Sequence, residues 1–184
     1  MTTRDLSLVA LMAAVIVALG AAPAIPLAGG VPITLQSMGV MLAGLVLGPR
    51  RGAAAVLVVI ALVALGLPVL SGGRGGLAVF VGPTAGFLFG WILAAFVTGF
   101  LAQVLEATEK SALVRTAQLT LAAVVGGIVA LYLCGVLWLA FFAKMGLVKA
   151  FMVSLPFVPG DLAKAIVAAL VTVKVRQAVA IERW

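Results

Sequence analysis

An all-α integral membrane protein of six transmembrane helices, with both termini in the cytoplasm, is what the sequence predicts. Three observations carry that expectation. The 184 residues are 65% hydrophobic and only 9% charged, with a mean hydropathy of +1.36, whereas soluble domains are about 25% charged. Residues 6–49 contain no charge at all, and later apolar stretches are separated by Gly, Pro or charged breaks. The Lys and Arg residues fall unevenly between alternate loops, as the positive-inside rule requires of a polytopic protein.

The spans follow in order. Residues 6–22 form the first, ended by Pro23, Pro26, Gly29, Gly30 and Pro32. Residues 33–47 form a short second span, closed by the charged turn Gly48-Pro49-Arg50-Arg51-Gly52. The third covers 53–67 and stops at Pro68. A Gly-rich loop at 71–76 and the break Gly82-Pro83-Thr84 precede the fourth, 85–105. The most polar loop, 106–115, leads to the fifth span, 116–142. A connector carrying Lys144 and Lys149 leads to the sixth, 157–175, which contains Asp161 and Lys164. Six spans of about 20 residues consume about 120 residues, so 1–184 is expected to be one membrane domain. Residues 6–24 also have the layout of a signal peptide, with Arg4 before an apolar core and Ala22-Pro23-Ala24 as a cleavage-like site. The proline inside that site disfavours cleavage, and the segment is expected to remain as a helix.

With the N-terminus inside, the cytoplasmic side holds eight cations: Arg4, Arg50, Arg51, Lys110, Arg115, Lys174, Arg176 and Arg183. The outer side holds three, Arg74, Lys144 and Lys149. This bias sets the expected orientation and explains the net charge of +7 without a nucleic-acid partner.

Counts exclude much chemistry. There is no histidine, the lone Cys134 forms no internal disulfide, and the acids are only Asp5, Glu106, Glu109, Asp161 and Glu182. No nucleophile, base and orienting group can be assembled, so no catalytic residue, metal site or cofactor is expected and the chain is not an enzyme. No Walker loop is present, so any coupling to ATP comes from a partner.

Ionisable residues inside a membrane are costly and face a cavity or one another. Asp161 and Lys164 are three apart, on one helix face, just after Pro156, Pro159 and Gly160. They are either a helix-locking ion pair or a polar ligand site. Arg74 sits on the flexible segment GGRGG at 72–76 and is the only charge between Arg51 and Glu106. Arginine grips a carboxylate with two N–H bonds, and glycines let a loop close over a ligand. The stretch ITLQS at 33–37 is polar where a helix should be apolar, as interrupted spans lining substrate sites often are. On the expected topology Thr34, Gln36, Arg74, Asp161 and Lys164 converge on the outer side. A stripe of Ala10, Ala14, Ala18 and Ala22 allows close helix approach, either within the bundle or to another membrane subunit.

Together these segments resemble the BioY family, the biotin-binding substrate component of energy-coupling-factor vitamin transporters. The matching pieces are ITLQ at 33–36, LAGLVLGPRRGA at 42–53, GLPVLSGGRGG at 66–76, GPTAGFLFG at 82–90 and PGDLAKA at 159–165. The resemblance implies capture of biotin from outside, in the cell membrane, with a membrane coupling subunit and two cytoplasmic ATPases supplying energy. It places the family's last-helix aspartate and lysine on Asp161 and Lys164, and its docking stripe on Ala10, Ala14 and Ala18. Biotin's chemistry agrees. Asp161 can accept from the ureido N–H groups, Lys164 can donate to a carbonyl or carboxylate, and Arg74 can hold the carboxylate tail. Thr84 joins the expected binding set, with Phe80 as an apolar wall beside the further candidates Phe87, Trp91 and Trp138. The alternatives are a substrate component for another small vitamin, and a non-transporting membrane assembly protein whose charges are structural.

Overall fold

The computed structural model describes residues 1–25, 31–105 and 111–178. Pro26, Gly29, Gly30, Glu106, Glu109, Lys110, Glu182 and Arg183, which entered the break and charge arguments above, lie outside them. The described residues build helices α1 (Thr3–Gly20), α2 (Gln36–Ala64), α3 (Ala85–Leu105), α4 (Ala112–Val124), α5 (Leu131–Phe141), α6 (Leu147–Ser154) and α7 (Val158–Ala178). A π turn, Val125–Ala130, joins α4 to α5, and short 3₁₀ turns lie at Leu77–Val81 and Leu155–Phe157. No strand occurs among the described residues, only the isolated bridges Ile25–Ile33 and Leu70–Arg74.

Among the described residues, five helical stretches are long and apolar enough to cross a membrane: α1, α2, α3, the α4–α5 rod, and α6 with α7. The count differs from six because α2 runs through the turn that separates the expected second and third spans. Yet α2 is not straight. Gly48 has φ 79° and ψ −179°, a region open essentially to glycine alone, and Pro49 cannot donate to the preceding turn. Along an unbroken helix, Ala43 and Gly52 would stand about 13 Å apart. Here a Cβ on Gly52 would lie 2.7 Å from the Ala43 carbonyl oxygen. The chain doubles back at Gly48.

The second difference lies between the last two spans. The expected connector is itself helical, because α6 occupies Leu147–Ser154. It begins at Gly146, whose φ is 79°, and leads through Pro156 into α7. Residues 144–156 mix lysines with apolar residues at no clean span length, so the sequence hid this helix in a charged stretch.

Small residues dominate where helices meet. Ala94, Ala95, Ala102, Ala122, Ala123, Ala165, Ala168 and Ala169 are buried, which lets backbones approach closely, as membrane helices must when packing alone holds them. Large apolar residues such as Leu57, Phe96, Phe100, Leu121, Leu133 and Leu170 point outward. That inversion of the usual inside–outside order suits a lipid surround. On α1 the buried face is Val9, Ala13, Ile16 and Gly20, while Ala10, Ala14 and Ala18 are exposed. Of the two expectations for that stripe, the internal seam is excluded for these three residues.

The two ends of the bundle are distinct. Asp5 near the start of α1 pairs with Arg51 just past the Gly48 bend, at 3.1 Å. Arg176 near the end of α7 donates to the Leu45 carbonyl, close to the same bend. At the opposite end lie the starts of α2 and α7 and the loop that carries Arg74.

Candidate ligand-binding cavity

Asp161 falls in the first turn of α7. The Pro-rich approach favours a helix start there, and the positive end of the helix dipole suits a carboxylate. Lys164, one turn on, shares its face. Its Nζ donates to Asp161 Oδ1 at 2.7 Å and to Ser37 Oγ at 3.1 Å. Both side chains are nearly sealed from the surface, Asp161 at 5% and Lys164 at 8% exposure.

Two further groups converge on the carboxylate. Ser37 Oγ lies 3.2 Å from Oδ1 as a donor, and Tyr132 on α5 donates its hydroxyl to Oδ2 at 2.7 Å. A carboxylate offers about four acceptor positions and an ammonium three donors. One acceptor position on Oδ2 and one N–H on Lys164 therefore remain open.

Arg74 comes from a different wall. Gly72, Gly73 and Gly76 around it have φ of 77°, 71° and 83°, so the loop needs glycine to turn its arginine inward. Arg74 Nε donates to the Ser71 carbonyl at 3.2 Å, and Nη1 to Thr84 Oγ1 at 3.4 Å. Burial pulls its pKa below the ordinary arginine value, and it stays a cation at any physiological pH. Among the described residues no carboxylate pairs with it. The remaining guanidinium N–H groups are unspent.

These groups line one cavity that opens at the surface. Val31, Ile33, Val79, Leu88 and Leu131 make much of its apolar lining, with Phe87, Trp91 and Phe157 as aromatic walls. The Phe87 ring stands edge-on to Tyr132, centroids 6.2 Å apart.

Of the residues expected from sequence, Thr34, Gln36, Arg74, Thr84, Asp161 and Lys164 all line this cavity. So do the wall candidates Phe87 and Trp91. Phe80 is not in the lining and packs on Phe89, centroids 5.8 Å apart. Trp138 also lies outside it; its indole N–H holds the Gly82 carbonyl at 3.0 Å while its ring stacks on Phe142 at 4.2 Å. Ser37, within the polar stretch 33–37 but not singled out there, and Tyr132, not expected at all, complete the polar set. Tyr132 is the chain's only tyrosine and sits mid-span, a signal carried by residue type rather than by charge.

A helical bundle with small-residue seams, an apolar exterior and a polar-tipped cavity at one end is a multi-pass membrane protein built to hold a small molecule. The family is now visible. The model of the BioY family matches residues 1–181, and the chain belongs to that family. It is 61% identical over 171 residues to the biotin transporter BioY of Rhizobium etli, covering 92% of this chain and 91% of that one. With the biotin transporter BioY of Rhodobacter capsulatus it shares 52% identity over 183 residues, covering 95% and 94%. It also superposes on a crystal structure of the S-component for biotin from an ECF-type ABC transporter with a TM-score of 0.88. That match is 35% identical and covers 96% of this chain and 95% of the other.

Proposed function

We propose that this chain captures biotin at the outer face of the cell membrane and hands it inward, as the substrate-binding component of an energy-coupling-factor transporter. One observation carries the reading: a single cavity holds a neutralised Asp161–Lys164 pair with one acceptor and one donor still open, and an Arg74 cation with no carboxylate partner among the described residues. Biotin is complementary to that set. Its ureido ring brings N–H donors for Asp161 Oδ2 and a carbonyl for Lys164, its thioether ring suits Phe87 and Trp91, and its carboxylate supplies Arg74's missing charge. Because Asp161 and Lys164 already cancel, the ligand's negative end goes to Arg74. No bond in biotin is made or broken.

The chain is read as one membrane domain of six crossings, since the reversal at Gly48 splits α2 into two passes. The Asp5–Arg51 pair groups the N-terminus with the Gly48 bend, and the eight-to-three cation bias puts that end in the cytoplasm and the cavity outside. The exposed Ala10, Ala14 and Ala18 face is the docking surface for a membrane coupling subunit, with two cytoplasmic ATPases completing the transporter. Calorimetric titration of the purified chain with a panel of vitamins tests the ligand. Tight binding of biotin alone is expected. Preference for another vitamin, or binding of none, would overturn the reading.

A further inference from the structure

Gln36 lines the cavity, yet its amide is spent elsewhere. It is 1% exposed, and Nε2 donates to the Val69 carbonyl at 3.0 Å and to the Ile16 carbonyl of α1 at 3.3 Å. Oε1 accepts from the Ser71 backbone N–H at 2.9 Å. Both N–H donors are committed, so the side chain has nothing left to donate to a ligand. What it holds is the loop that carries Arg74. Val69 and Ser71 bracket the turn into GGRGG, and Ser71 is also the residue whose carbonyl receives Arg74 Nε. A loop with positive φ at Gly72, Gly73 and Gly76 has little intrinsic preference for one shape. Backbone bonds close the turn itself, Leu70 N–H to the Arg74 carbonyl at 3.0 Å and Arg74 N–H to the Leu70 carbonyl at 3.2 Å, and the Gln36 amide ties that turn to α1 and α2.

We propose that Gln36 is a positioning residue for recognition of the ligand's carboxylate: it clamps Val69 and Ser71 and so aims Arg74 into the cavity, without touching the ligand. The inference rests on the reading that Arg74 holds the carboxylate of biotin. Its bond to Ile16 fixes the amide's own orientation against α1, which makes the clamp rigid. A charge-assisted contact is worth its full strength only when the partner is held in place, so a loosened loop should weaken the carboxylate contact and leave the ureido contacts alone.

The test compares biotin with biotin amide, its neutral analogue, by calorimetry on the purified chain and on Arg74→Gln, Gln36→Met and the double variant. The parent should prefer biotin by about tenfold or more, and Arg74→Gln should abolish that preference. Gln36→Met keeps the side-chain length but no hydrogen bonds. It should lower biotin affinity toward that of Arg74→Gln while amide affinity holds, and the double variant should lose no more than Arg74→Gln alone. Amide hydrogen exchange in 69–73 should rise at the same time. Equal weakening of both ligands by Gln36→Met, or an undiminished preference for biotin, would make Gln36 merely structural and overturn the proposal. A preference that survives Arg74→Gln would instead remove the carboxylate reading, and the proposal with it. If Gln36→Met does not fold, Gln36→Asn, too short to reach Ile16, Val69 and Ser71 together, is read against the same outcomes.

Discussion

Replacing Asp161 with Asn changes one atom in the most connected polar group of the protein. The carboxylate accepts from Lys164 at 2.7 Å, Ser37 at 3.2 Å and Tyr132 at 2.7 Å. An amide oxygen can still serve Lys164 and Ser37, but the amide nitrogen then replaces Oδ2 and presents donors where a ureido N–H should arrive. A hydrogen bond to a charged group is worth about 1.5–3 kcal/mol, so biotin affinity should fall roughly 10- to 150-fold. Stability should fall too, because Lys164 becomes a buried cation without a counter-charge, and breaking such a pair costs about 3–5 kcal/mol. Lys164→Met should behave likewise, leaving Asp161 uncompensated. The two roles separate in Asp161→Leu/Lys164→Met. Removing both charges together should restore most of the lost thermal stability, since the paired groups are sealed at 5% and 8% exposure, while biotin binding stays lost. Biotin titration and melting temperature on all three variants decide the matter. A double variant that is stable and binds biotin near parental affinity would refute the ligand role of both residues and leave a helix-locking ion pair.

Other expectations follow from the same geometry. In a Cys134→Ser background, Gly73→Cys should label with an impermeant thiol reagent from outside the cell; labelling from the cytoplasm alone would reverse the orientation and move the cavity to the inner face. Ala14→Trp or Ala18→Trp should block assembly with a coupling subunit, as scored by co-purification, while biotin affinity is unchanged, because both alanines point away from the bundle. Gly48→Ala should lower stability by about 1–3 kcal/mol through its φ of 79° and ψ of −179°; an unchanged melting temperature would mean that the bend relaxes at no cost.

Much of the cavity was legible as chemistry before it was visible as geometry. Asp161, Lys164 and Arg74 stand out because a charge in an apolar chain needs a reason, and Thr34 and Gln36 because they interrupt a span. What could not be read is which polar atoms are spent. Gln36 looks like a ligand group in the sequence, and only the positions of Ile16, Val69 and Ser71 reveal its amide as a clamp. Phe80 and Trp138 illustrate the same gap for apolar residues. An aromatic near a binding loop can face the cavity or brace its rim, and rotation of the helix by part of a turn decides between them. Tyr132 escaped because a hydroxyl carries no charge to attract notice, although in this fold it reaches across from α5 to α7.

The membrane character, the helical architecture and the charged residues that matter are properties of the sequence itself. They follow from local causes: hydropathy over about 20 residues, the backbone limits of Gly and Pro, and the cost of burying charge. The α3 limits, Ala85–Leu105, coincide with the expected 85–105 for that reason. Tertiary structure decided how those pieces meet. The fold-back at Gly48, the helix at Leu147–Ser154, the outward face of Ala10, Ala14 and Ala18, and the joining of α2, α5 and α7 around one carboxylate all depend on contacts between residues far apart in the chain. Asp161 bonds to Ser37 across 124 positions, a separation at which no local pattern carries information; only the close packing of helices around small residues brings the two within hydrogen-bonding reach.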